Sequence, residues 1–284
     1  MTAVVSIPKK LRDVFELLCK GKIKEGIEQL KAIPGFEAHK AIALAEIAYF
    51  QHDFESAMDY DEQALPHHEE WYAGNIVNEH FFAYVRAAIA LKCIDRAKRV
   101  LTAFLKREQD TKVPANDMDR HKFHVERYQY IIGQHLLKLK GRENLEIYNS
   151  PYQVISNGDS MDKFIAQLKK YRPKFLSDSI DGAMYMLNFI YKTGNTTDYV
   201  KIYEKFSDKI DDESLHIKAS KVYLALKHPE KAKEAIRTLT SKAWFPIEHP
   251  QITPMKLWAE DDLQKIMKRD FCKEILYLPK VQNR

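Results

Sequence analysis

The histidines are the first residues to consider for chemistry, because imidazole groups at helical spacing can share a metal ion. His121 and His124 lie three residues apart in a segment with helical periodicity, and His135 lies about three turns beyond His124. A metal site needs three or four ligands, and His135 is too far along the same helix to be one. Residues 67–70 (HHEE) are typical of a loop between helices. We therefore predict no metal site.

Catalytic motifs are equally sparse. Carboxylate pairs occur, such as Asp261 with Asp262, but a glycosidase needs two carboxylates facing each other across a sugar cleft. The chain has no glycine-rich phosphate loop, no H-E-x-x-H pair and no G-x-S-x-G elbow. Ser177, Ser179, Asp181 and Gly182 have the spacing of a calcium loop, but Asn188 stands where such a loop needs glutamate. Asp178 or Asp181 is therefore predicted to cap a helix instead. We predict no catalytic residue and no cofactor, and an all-α enzyme stays an alternative.

The composition indicates a folded, helical protein. Of 284 residues, 45% are hydrophobic and 30% charged, which excludes a disordered chain. Nine glycines are about 3% of the chain, against a usual ~7%, and doubly wound sheets or β-sandwiches need more. The three cysteines are far apart in the sequence, odd in number and without zinc spacing. Unpaired thiols of this kind are typical of a protein in a reducing compartment. Without an apolar leader or an 18-residue apolar run, the chain is expected to be cytoplasmic, away from membranes.

Apolar residues recur at helical spacing and predict an all-α chain of helical hairpins. In the first hairpin Leu11, Phe15 and Leu18 share one helix face, and Gly21 marks the turn. The later hairpins pair residues 37–51 with 54–65, 72–92 with 94–108, 179–193 with 196–208, and 212–226 with 229–241. Further helices are predicted near 117–140, over 160–171, just after Thr253, and over 261–276, the last one covering the exposed end of the array.

Small residues at matching places in these hairpins give a resemblance to a known repeat family. Ala45 and Ala57 fall where the two helices of the second hairpin must approach each other, and Gly26, Ala97 and Ala232 take the place of Ala57 in other hairpins. In this pattern the chain resembles the tetratricopeptide repeat (TPR). The resemblance implies a TPR-like α-solenoid, a right-handed superhelix of about five to seven helix pairs. An irregular α-bundle is the alternative.

The repeat rhythm also bears on domain organisation. We expect one solenoid over residues 1–284, with an interruption where loop residues such as Pro114 and Gly141 break the helical pattern. Residues 109–159 are predicted to form an irregular helical segment that joins two sub-arrays, 1–108 and 160–284.

The resemblance implies a function as well as a fold. TPR-like arrays present the first helix of each hairpin on a concave face that binds peptides or partner domains, so we expect a non-catalytic protein- or peptide-binding scaffold. Chaperone-binding members hold a peptide carboxylate with Lys and Asn, but Ile42 and Glu46 occupy those places here, so a co-chaperone role is not expected. The groove candidates are Glu46, Tyr49, Glu79, Phe82, Arg86, Tyr185, Asn188, Tyr191, Lys218 and Lys221.

Charge is distributed unevenly along the chain. Residues 37–82 contain ten acidic residues and one basic residue, and residues 86–107 reverse this balance. One interpretation is an acidic patch that attracts a basic partner, as in a bacterial toxin-neutralising immunity protein; a peptide-sensing regulator is a related alternative. The other interpretation is that these charges pair between neighbouring hairpins. The patch candidates are Asp53, Glu55, Asp59, Asp61 and Glu62.

Two further predictions concern nucleic acid and self-association. The net charge of +5 is mildly basic, and helical repeats that read RNA need a continuous basic groove, so an RNA-binding repeat is a weaker alternative. Apolar faces within residues 11–18 and 271–276 are the places where a homodimer would form.

Overall fold

Helices make up almost the whole of the structure, a computed structural model that describes residues 9–70, 75–112, 114, 118–139, 179–241 and 255–280. Within these ranges there are thirteen α-helices and no β-strand. The first seven are α1 (Lys9–Cys19), α2 (Ile23–Ala32), α3 (Glu37–Gln51), α4 (Phe54–Ala64), α5 (Asn75–Ala90), α6 (Ile94–Asp110) and α7 (Met118–Leu139). A 3-10 turn, Leu65–Glu70, follows α4.

The remaining helices follow residue 178. They are α8 (Ile180–Thr193), α9 (Thr196–Phe206), α10 (Glu213–Ala225), α11 (Pro229–Ser241), α12 (Lys256–Ala259) and α13 (Arg269–Tyr277). A 3-10 turn, Asp262–Lys265, separates α12 from α13. The single helix predicted over 261–276 is therefore wrong in detail, and the helix predicted over 160–171 lies outside the described residues.

Neighbouring helices pack as antiparallel pairs, which confirms the predicted hairpins. Each of the pairs α1–α2, α3–α4, α5–α6, α8–α9 and α10–α11 is in direct contact. The small residues lie buried within these pairs: Ala45, Ala57, Ala97 and Ala232 are all 0% exposed. A side chain at Gly26 would overlap with Leu18 of α1. Close packing of this kind needs small residues where two backbones approach.

The turns inside these pairs share one backbone conformation. Each of the five turns contains a residue with a left-handed φ between 57° and 75°. That conformation ends a helix by letting the next amide donate to a carbonyl of the last turn. It costs about 1–2 kcal/mol at the three residues that are not glycine, His52, Lys92 and Lys227. The five residues are Gly21, His52, Lys92, Gly194 and Lys227.

The caps at the helix starts explain one difference from the sequence prediction. Ser179, not Asp178 or Asp181, caps α8, because its hydroxyl accepts a hydrogen bond from the Gly182 amide at 3.0 Å. Asp181 lies in the first turn, where its charge favours the helix dipole.

Helices far apart in the sequence are joined by the last part of the chain. Contacts run continuously from α2 through α7, and again among α8, α9 and α10. The final elements touch both groups: α12 packs on α5, the following 3-10 turn packs on α10, and α13 packs on α3 and α11. The last helix, α13, thus contacts α3 near the start of the chain as well as α11, which precedes it. α7 packs on α5 and α6, and the predicted boundary at 159–160 lies outside the described residues.

The first hairpin and α13 meet closely. The Lys280 amide donates a hydrogen bond to the Cys19 carbonyl at 2.6 Å, and the turn at Gly21 lies against the Tyr277 carbonyl. The apolar faces predicted for a homodimer are buried inside the chain by this arrangement. Leu11, Phe15 and Leu18 are at most 2% exposed, and Phe271, Ile275 and Leu276 at most 5%.

We predict that Gly21→Ala destabilises the protein more than Gly35→Ala. Both glycines have a left-handed φ, at 74° and 79°, which costs an alanine about 1–2 kcal/mol. Only at Gly21 would the new methyl group overlap with backbone, at Tyr277, adding about 1–3 kcal/mol. Urea denaturation of both variants measures the difference, and equal losses would show that the first hairpin does not rest on α13.

Candidate functional site

The predicted groove residues lie on helices α3, α5, α8 and α10, and we call the faces that carry them the first-helix surface. Residues 255–267, the Trp258 segment, lie against part of it. Leu257, Trp258 and Leu263 of this segment are at most 2% exposed. The chain therefore covers part of the surface on which the sequence predicts partner binding.

An aromatic cluster holds the indole of Trp258. Ring centroids lie 5.9 Å away for Phe50 and Phe54, 5.6 Å for His52 and 6.1 Å for Tyr49. These residues come from the end of α3, the turn after it and the start of α4. Tilted and edge-on rings at such distances contribute attraction beyond simple burial. The indole is thus the apolar anchor of the Trp258 segment.

Cations from α5 and α7 hold the polar part of the same segment. Arg86 donates from Nε to the Trp258 carbonyl at 2.5 Å, and its guanidinium pairs with Asp261. Lys138 Nζ lies 3.0 Å from the same carboxylate. Burial raises the pKa of Asp261, but the two cations outweigh burial and hold this pKa below its ordinary value.

Three ion pairs attach the segment to α10. Lys221 Nζ lies 2.9 Å from Glu260 and 3.9 Å from Asp262. Lys256 Nζ lies 2.7 Å from Glu213, the first residue of α10. Burial raises the pKa of Glu213 to about 7, although Lys256 opposes this shift. The Trp258 segment therefore links the helices before residue 140 to those after residue 178.

This arrangement places five groove candidates away from an open groove. Glu46, Tyr49, Glu79 and Phe82 are at most 6% exposed, and Arg86 is bound to the Trp258 segment. Phe82 packs edge-on against the buried ring of His135, with 4.6 Å between centroids. In this conformation a partner cannot reach these side chains, so their predicted binding role would need the segment to move.

A buried polar network, the His80 cluster, joins α3, α4 and α5. His80 Nδ1 lies 2.6 Å from Asp61 Oδ1, and Tyr49 donates its hydroxyl to Asp61 Oδ2 at 2.5 Å. Glu46 lies on the other side of the imidazole, 3.7 Å from Nε2. The side chains of the histidine and both carboxylates are 1–3% exposed. The residue types suit acid–base catalysis, but a substrate cannot reach them, so the cluster is structural.

Burial and charge set the protonation states in this cluster. Burial lowers the pKa of His80, but the carboxylates of Asp61 and Glu46 outweigh it and raise that pKa to about 10. Burial raises the pKa of Glu46. At neutral pH the cluster therefore contains an imidazolium paired with the Asp61 carboxylate.

The acidic patch candidates differ in exposure: three of the five are exposed, and Glu62 and Asp61 are not. Asp61 is buried in the His80 cluster, and Asp53 caps α4 by accepting from the Ser56 amide. Asp59 and Glu62 both pair with Arg96 of α6, with 2.7 Å to Glu62. Glu55 is exposed. These contacts follow the interpretation in which charges pair between neighbouring hairpins.

The remaining groove candidates lie on α8 and α10 and are more accessible. Tyr185 is 40% exposed. Lys218 donates from Nζ to the Asn188 side-chain oxygen at 2.7 Å, and the same ammonium lies 5.6 Å from the centre of the Tyr191 ring. Burial lowers the pKa of Lys218. Lys221 is half-buried in its pairs with the Trp258 segment.

An open pocket of about 240 Å³ lies at this end of the first-helix surface. Tyr191, Tyr199, Val222 and Ala225 supply much of its wall, and Lys221 and Asp262 stand at its polar side. A largely apolar pocket with a few polar groups is the usual form of a binding site. The structure thus brings Tyr191, Lys218, Lys221 and Asn188 together around or beside one pocket.

The sequence did not indicate the importance of Trp258 or His80. The signal for Trp258 is its place in a short apolar run directly before three carboxylates, Glu260 to Asp262. For His80, no local signal distinguishes a buried cation from a surface histidine, since its partners lie 19 and 34 residues away in the sequence.

Comparisons with known proteins give no family. No protein-family model, no curated protein and no solved structure matches the chain. In the described part of the chain, none of the helices has both the length and the apolarity that a bilayer span requires. Nor do the described residues include three or more His, Cys, Asp or Glu arranged to hold a metal; the side chain of His124 lies outside them.

We predict that His80→Gln removes one pH dependence of stability. The pKa of His80 is raised from about 6.5 in the unfolded chain to about 10 in the fold. Its stabilisation is therefore complete below about pH 6.5 and is lost as the pH rises towards 10. At pH 7 the variant should lose about 3–5 kcal/mol of unfolding free energy, because Asp61 keeps a buried charge without its cation.

Urea denaturation at several pH values between 6 and 10 measures this effect. The matched control is His135→Gln, since burial lowers the pKa of His135 to about 3 and keeps it neutral over this range. The control should retain the wild-type decline above pH 6.5. A wild-type decline that persists in His80→Gln would contradict the prediction.

Proposed function

We propose that the chain is a TPR-like solenoid that binds a protein or peptide partner without catalysis, through the α8 and α10 end of its first-helix surface. The observation that carries the proposal is the pocket beside Tyr191 and Lys218, on the helices where the TPR resemblance places partner contacts. The three cysteines form no disulfide bond, which supports a cytoplasmic location.

The Trp258 segment supports this proposal because it is itself a short segment bound to the first-helix surface. It is held there by an aromatic anchor and by pairs of Arg86, Lys138 and Lys221 with carboxylates. Deeply buried aromatic groups surrounded by polar contacts are what peptide and protein interfaces use. The same surface is thus built to hold a peptide-like segment.

The α8 and α10 end is the part left for a partner. At the α3 and α5 end, Tyr49, Phe82 and Arg86 are covered by the chain itself. At the other end Tyr185 is exposed and Tyr191 lines an open pocket. A tyrosine combines a large apolar ring with a polar tip and is enriched at interfaces.

The alternatives receive less support. A toxin-neutralising role rests on the acidic patch, and Arg96 pairs with two of its five residues while a third is buried. A catalytic role would need titratable groups in a cleft, and the His80 cluster is enclosed in the core.

We predict that a photoreactive benzoylphenylalanine placed at Tyr185 crosslinks a protein partner in the source cells. The control position is Tyr277 on α13, which is 42% exposed against 40% for Tyr185. A discrete adduct at position 185 that is missing at position 277 is the expected result, read by mass spectrometry. Lack of an adduct at 185, or the same adducts at both positions, would refute the proposed interface.

A further inference from the structure

We propose that the partner is an acidic peptide segment that places a large apolar side chain in the pocket and a neighbouring carboxylate on Lys218. This inference rests on the proposed function and names the chemistry of the partner at the same site. Three observations lead to it: Lys218 forms no ion pair among the described residues, the pocket beside it is small, and the Trp258 segment binds next to it.

Lys218 differs from the other cations on the first-helix surface. Arg86 and Lys221 each pair with a carboxylate of the Trp258 segment. Lys218 is also half-buried, yet among the described residues its ammonium forms no ion pair and contacts the amide oxygen of Asn188 and the ring of Tyr191. A half-buried ammonium gains more from a carboxylate than from an amide oxygen, because the opposite charges add Coulomb attraction to the hydrogen bond.

The pocket adds an apolar contact beside this charge. Tyr191 belongs to both, since Lys218 lies over its ring and the ring lines the pocket. Val222 of the pocket wall lies one helical turn after Lys218 on α10. The pocket volume of about 240 Å³ is below the ~300–1,000 Å³ of sites for drug-sized ligands. One side chain of a peptide fits this size better than a whole metabolite.

The neighbouring charges decide where the carboxylate binds. Asp262 lines one side of the pocket and shares Lys221 with Glu260, so an acidic group would be repelled there. Charges of both signs act on Lys218: Asp212 and Glu260 attract its ammonium, and Lys192 and Lys221 repel it. Of the two lysines, Lys192 on α8 is exposed. The favourable place for a carboxylate is therefore between α8 and the Lys218 side of α10.

The Trp258 segment shows that this surface recognises the same chemistry. Its indole enters an aromatic cluster, and the carboxylates two and three residues later pair with Arg86, Lys138 and Lys221. A partner segment with an apolar residue near one or two carboxylates would continue that pattern along α8 and α10. Complementary charge of this kind favours acidic partners over basic ones.

A peptide selection tests the partner chemistry directly. A random peptide display library is selected on the full-length chain and depleted on the Lys218→Glu variant. We expect enriched peptides with a Leu, Ile, Phe, Tyr or Trp within a few residues of Glu or Asp. Enriched peptides that are neutral or basic at these places, or no enrichment at all, would overturn the proposal.

Binding constants for one enriched peptide then assign the contact. Fluorescence anisotropy should show that Lys218→Glu weakens binding by about 10- to 100-fold, and that a peptide with its acidic residue changed to lysine regains affinity for this variant. Lys218→Gln, which retains a donor to Asn188, should weaken binding less. The control is Lys201→Glu on α9, where the lysine is 73% exposed, and it should bind like the wild type.

The two proposals fail in different ways. A Tyr185 adduct combined with peptides that are not acidic would refute the partner class and leave the binding function in place. Acidic peptides that bind equally to the wild type and to Lys218→Glu would refute the assigned contact. Lack of a Tyr185 adduct would refute the function, and with it this inference.

Discussion

The packing of Trp258 against α3 and α4 is the contact on which the rest of the structure depends. Each helix pair buries one face against its partner helix and leaves another to be covered by a neighbour. For α3 and α5 that cover is the Trp258 segment, which also contacts α10 through its charged residues. Burying one aromatic side chain contributes roughly 1.5–3 kcal/mol, and the indole does so at the junction of distant parts of the chain.

The charges around this segment follow from its position. Arg86 and Lys138 are partly buried by it, and a half-buried cation without a partner is costly. Three successive carboxylates, Glu260 to Asp262, follow Ala259 and pair with cations on α5, α7 and α10. One short acidic run therefore neutralises a cation on each of three helices. These pairs connect helices before residue 140 with a helix after residue 178. They therefore favour the observed packing of the two groups of helices.

Local structure was predictable from the sequence because its causes are local. The 3.6-residue period of apolar side chains depends only on neighbours in the chain, so α3 and α4 begin and end within a residue of the predicted bounds, and α7 spans 118–139 against a predicted 117–140. The environment of the groove candidates was not predictable. Arg86 meets Trp258 across 172 residues, and helical periodicity indicates which face must be covered but not what covers it.

The first-helix surface therefore has two parts with different physical roles. Around Tyr49 and Arg86 it is core, since a segment of the same chain occupies it at a high effective concentration and an external peptide must displace that segment to bind. Around Tyr191 and Lys218 no such competitor is in contact in the described residues, and the aromatic ring and the ammonium keep contact with solvent. The division falls at Lys221, which pairs with the Trp258 segment and also lines the pocket. A partner bound there would contact Asp262 of that segment, so binding and the packing of Trp258 would share one ion pair.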